Sequence, residues 1–382
     1  MKIVLDGVET NNKGAELMFY AILQEIERRY PDATVYINAQ RVKQGFSYLK
    51  TSLKLKDKPI RKIEKWIIKF HLWRATRKLF GDDVFQDIHR IPGSSFYIDD
   101  SGFFYSDQWN LPISAINHRK KLLMSHKRWG SKVVFLPQAF GPITQDNIKQ
   151  GIRDLNKYAD VVMPREKTSY NYLVNSGLID KAKLRLFPDF TCLVKGEIPT
   201  GYEHLHNGVC IIPNVRMLDK SDLSFDKYNK FIHNIIRTSI KNGATPYLLN
   251  HEGPDDGELA RKFQSISPIP IDVVDNLNAL EVKGLISTAR LVITSRFHGV
   301  ASSLNSCVPC LSTSWSHKYE EIFNDYNQKD CVLPVEDSEA VSSVLEKFLD
   351  DTFNKKIRAD LSALIPEKEK ISRQMWSVVW SL

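Results

Sequence analysis

The chain has no uninterrupted apolar run of about 18 residues, the length a membrane-spanning helix needs, so no segment is expected to cross a bilayer. Cysteine is scarce. There are five in 382 residues, an odd number spread along the chain, which argues against a disulfide framework and for reduced thiols in the cytoplasm. Cys307 and Cys310 have C-x-x-C spacing. No second pair completes a zinc site, and Val308-Pro309-Cys310-Leu311-Ser312 reads as the start of a buried strand. No leader precedes the strand-like Lys2-Ile3-Val4-Leu5, so secretion is not expected. Also missing are G-x-G-x-x-G, a Walker sequence and a G-x-S-x-G elbow. Nucleotide binding at the first turn and triad hydrolase chemistry therefore lack a motif.

What is present is a globular composition, 42% hydrophobic and 26% charged, in a length that suits two domains. The formal charge of +8 is uneven. Thirteen Lys or Arg between Arg41 and Lys78 face only Asp57 and Glu64, so this segment carries +11 and the rest of the chain −3. Residues 59–80 read as a helix. Ile60, Ile63, Ile67 and Phe70 recur at helical spacing beside Trp66 and Trp73, with seven cations on much of the remainder. That pattern suits a helix lying on an anionic membrane surface. A core-facing helix with a solvated basic face fits the same residues. Nucleic acid fits less well, because the aromatics share the apolar face and are not interleaved as stacking platforms.

Short apolar runs alternate with helical patterns along the chain. Strands are expected at Lys2–Val8, Thr34–Asn38, Ser95–Asp99, Lys132–Leu136, Asp160–Met163 and Lys183–Phe187. The alternation stops at 195–207, which is rich in Gly and Pro, and restarts with strands at Gly208–Pro213, Thr245–Leu249, Ile271–Val274, Leu291–Thr294 and Cys310–Thr313. The fold class is α/β: two Rossmann-like domains with parallel sheets, expected to face each other across a cleft. The division reads as 1–194, a linker at 195–207, a second domain at 208–350 and a helical tail at 351–382. Trp376 and Trp380 on that tail would return to pack on the first half.

The most informative stretch is Leu291–Leu304. A β-branched strand turns at Ser295-Arg296 and passes through His298-Gly299 into a run of small residues that reads as a helix. In a parallel sheet, ligands bind at the carboxyl ends of strands. This end offers a guanidinium, an imidazole, a hydroxyl and a helix N-terminus with unpaired N–H groups. Arg matches carboxylate or phosphate bidentately, and His carries protons near neutral pH. A surface Arg and a buried, satisfied His would fit the same residues. Other polar strand ends hold Arg165, His251-Glu252 and Lys318. Lys13 lies in the polar turn Asn11–Gly14. His251-Glu252 with Asp255-Asp256 match no standard zinc spacing, and no metal is expected.

Taken in order, these motifs resemble the polysaccharide pyruvyltransferase family. They are Asn12-Lys13-Gly14-Ala15-Glu16, Leu136–Pro142, Pro164-Arg165-Glu166-Lys167-Thr168-Ser169, Pro188-Asp189, Ser295-Arg296-Phe297-His298-Gly299, Val308-Pro309 and Ser316-His317-Lys318-Tyr319. One departure is Asp99-Asp100-Ser101-Gly102, where the family commonly has paired glycines. The resemblance implies a GT-B-like fold, phosphoenolpyruvate as co-substrate without a further cofactor, and a pyruvate ketal on a sugar as product. It implies donor binding by Arg296 and Arg165 and an active-site histidine at His298; on chemical grounds, Ser295, Lys13 and Lys318 are assigned to assist donor binding and Arg296 to share catalysis with His298. Asn12, Gln138, His251 and Glu252 are assigned to a glycan or lipid-linked oligosaccharide acceptor. The expected location is cytoplasmic, with residues 59–80 holding the enzyme at the inner membrane face. Two other readings stay open: a GT-B glycosyltransferase with a nucleotide-sugar donor, and a non-catalytic glycan-binding module.

Overall fold

The computed structural model describes residues 1–38, 41–42, 51–57, 91–219, 221, 223–313 and 318–382. The basic helix expected at 59–80 lies outside the described residues, as do Ser316 and His317. The chain forms two compact units. The first comprises Met1–Thr10, Met18–Asp189 and Gln374–Leu382; the second comprises Asn11–Leu17 and Phe190–Arg373.

The first unit is built on a six-stranded parallel sheet. Its strands are β1 (Lys2–Asp6), β2 (Thr34–Ile37), β3 (Lys54–Asp57), β4 (Phe96–Asp99), β5 (Lys132–Gln138) and β6 (Val161–Pro164), in the order β3-β2-β1-β4-β5-β6. The order reverses between β1 and β4, where a doubly wound sheet opens a crevice at its carboxyl edge. Asp6 and Asp99 stand opposite each other there. Helix α1 (Lys13–Arg29) follows β1; α2 (Ile113–Arg128), α3 (Asp146–Tyr158) and α4 (Lys167–Ser176) flank the later strands. The apolar stripe of α3, Ile148, Ile152 and Leu155, is fully buried with Tyr97, Val133 and Phe135 in one core, as its helical spacing requires.

Two expectations change here. Residues 183–187 are not a sixth strand. Leu184 makes one isolated bridge to Val162, and Leu186 is left 47% exposed. Arg185 and Phe187 donate to the Val162 and Pro164 carbonyls of β6, but Pro188 lacks the N–H to carry the ladder on. The strand that sequence reading passed over is β3. Its Lys-Leu-Lys-Asp pattern sits in a lysine-rich stretch, and charge of that kind is normal on an edge strand.

The second unit repeats the plan with five parallel strands: β7 (Val209–Ile212), β8 (Pro246–Leu249), β9 (Asp272–Val274), β10 (Leu291–Thr294) and β11 (Cys310–Ser312), in the order β11-β10-β7-β8-β9. Its switch point falls between β7 and β10, which pair from Leu291–Val209 to Thr294–Ile212. The short α5 (Arg216–Asp219) and longer α6 (Phe225–Lys241) follow β7; α7 (Gly253–Ile266) follows β8, and α8 (Ala279–Thr288) follows β9. Helix α9 (Phe297–Asn305) leaves β10 directly, before α10 (Lys318–Asp325), α11 (Ser338–Leu349) and α12 (Asp351–Trp380). Cys310 is buried on β11, as read from the sequence.

The end of α12 belongs to the first unit. Trp376 is 2% exposed and stacks on Trp380 at 5.6 Å. Trp380 meets Tyr30 and Phe96 edge-on at 5.4 and 5.3 Å, and its Nε1 donates to Glu25 at 2.9 Å. The half-buried Trp380 thus packs its ring and still pairs its N–H.

Candidate active site

The site forms where the second sheet switches direction. After β7, Asn214 is fully buried. Its Nδ2 donates to the carbonyl of Ser295 at 2.6 Å, tying the ends of β7 and β10 together. The Tyr319 hydroxyl donates to the same carbonyl at 2.5 Å, and the Ser295 hydroxyl faces Tyr228 at 3.4 Å. Burial pushes the Tyr228 phenol up to about 12, so it stays a neutral hydrogen-bonding group. Two donors on one carbonyl leave the turn after β10 little freedom.

That turn delivers Arg296, which is 8% exposed. Its Nε and Nη2 donate to Asp256 at 2.8 and 2.6 Å, a bidentate pair, and its Nη1 donates to Glu252. Burial pushes the Asp256 carboxyl up to about 7 and the Arg296 guanidinium down to about 10. The bidentate fork opposes both shifts, since each charge stabilises the other. Asp256 sits in the first turn of α7, where the helix dipole favours an anion, and it also accepts from the Val215 N–H at 3.0 Å. Among the described residues, three of the five guanidinium N–H groups are engaged and two more can meet a ligand. Arg296 also stands at the N-cap of α9, which makes no side-chain cap hydrogen bond. Arginine and helix start are thus offered to an anion together.

The opening of α1 completes the site. Residues Asn11–Leu17 belong to this unit although they follow the first strand of the other. Asn12 forms an antiparallel bridge with Glu252. The Lys13 N–H donates to the His251 carbonyl at 3.2 Å, and the Gly253 N–H to Asn11 at 3.1 Å. Asn12 Oδ1 caps α1 by accepting from Gly14 and Ala15, while Lys13 Nζ pairs with Glu16 at 2.8 Å. Gly14 lies against the His298 ring. His251 is 2% exposed, and its Nδ1 finds no hydrogen-bond partner among the described residues. Burial, reinforced by Arg296, His298 and Lys13, holds this imidazole well below its usual range.

The structure therefore brings together Asn12, Lys13, His251, Glu252, Ser295, Arg296 and His298. Lys318 begins α10, its side chain lying outside the described residues. Arg165 and Gln138 belong to the first unit, where the Arg165 N–H donates to the Gln138 carbonyl at 2.9 Å. Arg165 Nε lies 3.6 Å from Glu166, and both side chains are buried. Nearby at the first sheet's switch point, Arg119 pairs with Asp99 and donates to Ser101 at 2.8 Å. Asp100 is 2% exposed, and neither of its carboxyl oxygens has a partner among the described residues. Burial and the Asp189 charge raise it well above the carboxylate range, against the pull of Arg165. Sequence reading did not single out Asp256 as the anchor of Arg296, nor Asn214 and Tyr319 as the turn's clamps. The one available signal was the acidic start of α7, four residues beyond Glu252.

Fold and site define a class: an α/β protein of two Rossmann-like units, GT-B-like, with a buried Arg and a His where a parallel strand becomes a helix. Within it, the chain belongs to the polysaccharide pyruvyl transferase family, which it matches over residues 12–317. No curated protein matches the chain by sequence. Solved structures share the fold at low identity. UDP-GlcNAc 2-epimerase from Neisseria meningitidis, solved with UDP-GlcNAc, is 10% identical with a TM-score of 0.62, covering 100% of both chains. The Methanocaldococcus jannaschii UDP-GlcNAc 2-epimerase, solved with UDP-GlcNAc and UDP, is 12% identical with a TM-score of 0.53, covering 92% of this chain and 93% of that one. Phytolacca americana UGT2, complexed with UDP-2fluoro-glucose and pterostilbene, is 11% identical with a TM-score of 0.54, covering 100% and 99%.

Proposed function

We propose that the protein transfers the pyruvyl group of phosphoenolpyruvate onto a sugar of a surface polysaccharide or its lipid-linked precursor, forming a ketal and releasing phosphate. One observation carries the reading: Arg296, anchored bidentately by Asp256, stands at the N-cap of α9 two residues before His298. A donor with a phosphate and a carboxylate suits a fixed guanidinium beside a helix N-terminus. Lys13 and Arg165 are assigned to the same donor, and Ser295 to holding the turn that presents Arg296.

The reaction moves two protons. Two sugar hydroxyls bond to the central donor carbon, and its bond to the phosphate oxygen breaks. One hydroxyl proton ends on the methylene carbon, which becomes methyl; the other leaves with phosphate. His298 is assigned the relay to the methylene carbon. Arg296 stabilises charge building on the departing phosphate. Asn12, His251, Glu252 and Gln138 are assigned to the acceptor, with Glu252 retaining lone pairs for a hydroxyl beyond its bond to Arg296.

The test is incubation with phosphoenolpyruvate and a panel of soluble and lipid-linked glycosides, read by phosphate release and product mass. His298→Ala should still gain thermal stability from phosphoenolpyruvate and lose about 10²–10⁴-fold in turnover. A near-normal rate would remove the role given to His298. Stabilisation by uridine diphosphate and not by phosphoenolpyruvate would favour a nucleotide-sugar donor. The cations and tryptophans of residues 59–80 support working at an anionic membrane face; co-sedimentation with vesicles should then rise with anionic lipid content.

A further inference from the structure

We propose that Gly14 is a positioning residue: its missing side chain leaves the space in which the His298 imidazole is seated for proton transfer. The inference rests on the reading of His298 as the proton carrier. A Cβ at Gly14 would lie 2.1 Å from His298 Nδ1, 2.5 Å from Cγ and 2.8 Å from Cβ. Because the clash reaches the root of the side chain, a ring flip cannot relieve it; the whole imidazole must swing.

The turn cannot give way instead. Gly14 and Ala15 are held by Asn12 Oδ1 at 2.8 and 3.3 Å. The residues before Gly14 are held by the bridge to Glu252 and by the Lys13 bond to His251. Nor does the backbone need glycine, since Gly14 is not among the residues with positive φ. It occupies the first turn of a 17-residue helix, where Ala is the better helix former by about 1 kcal/mol. Contact with the imidazole therefore explains the glycine where helix propensity does not. The imidazole so seated is the proton carrier of the proposed reaction. It takes a proton from the acceptor hydroxyl and gives it to the methylene carbon, leaving the imidazole unchanged at the end.

The experiment uses full-length Gly14→Ala, His298→Ala and the double variant. Gly14→Ala should keep its KM for phosphoenolpyruvate within about threefold and lose about 10²-fold in kcat, the cost of a misplacement near 1 Å. It should melt roughly 2–4 °C lower than wild type. In the His298→Ala background the same change should leave Tm unchanged or raise it. If Gly14→Ala fails to fold while the double variant folds, the contact is equally supported. Wild-type kcat in Gly14→Ala, or an equal Tm change in both backgrounds, would overturn the proposal. If the wild-type protein releases no phosphate from phosphoenolpyruvate, the functional reading fails, and the Tm comparison still decides the contact.

Discussion

Asp256 shows how a residue far away in sequence decides what an arginine can do. Forty positions separate it from Arg296, yet it fixes two of the five guanidinium N–H groups. Asp256→Ala leaves a buried cation held by Glu252 alone. We expect a loss of about 3 kcal/mol in chemical unfolding, at the low end for a broken buried pair because one partner remains. Asp100 makes the opposite case. Its carboxyl is raised well above its ordinary value in the folded chain, so the unfolded chain releases the proton first. Its contribution to stability is complete below about pH 3.9 and is lost as pH rises toward the folded value. Asp100→Asn should therefore melt higher than wild type at pH 7, with the gain shrinking as pH falls toward 4. A pH-independent difference would show that the carboxyl is not titrating. The motif Ser295–Gly299 was legible because its chemistry is contiguous. Asp256 and the Gly14–His298 contact were not, because only the folded topology brings residues 14, 256 and 298 together.

Among the elements, β10 was legible to the residue, since four β-branched or aliphatic positions end at a polar turn. The failures lie at the edge of the first sheet. There β3 looks like part of a charged stretch, and residues 183–187 run along β6 with two backbone bonds without completing a strand. Edge pairing depends on whether a neighbour is present, and local alternation does not encode that. The tail helix fared better: its tryptophans announced a burial partner. Met375, Trp376 and Val379 are buried, so Trp376→Ala should cost about 3–5 kcal/mol in urea unfolding. A cost under 1 kcal/mol would mean that the last turns of α12 contribute little to the first unit's core.

For the whole molecule, the alternation of strands and helices predicted two parallel sheets, and both are present with a switch point each. Alternation could not show how the chain is shared between them. It passes between units at Thr10–Asn11, Leu17–Met18, Asp189–Phe190 and Arg373–Gln374, and the second and fourth of these passages fall inside α1 and α12. The seven residues Asn11–Leu17 travel with the second unit and line its Arg–His site. Anyone building chimaeras from two relatives to exchange sugar specificity must therefore treat the amino-terminal heptad as cargo of the carboxyl half. A single splice in the middle of the chain would mate one parent's histidine with the other parent's glycine turn, and an inactive hybrid would then report a mismatched seam before it reported anything about the sugar.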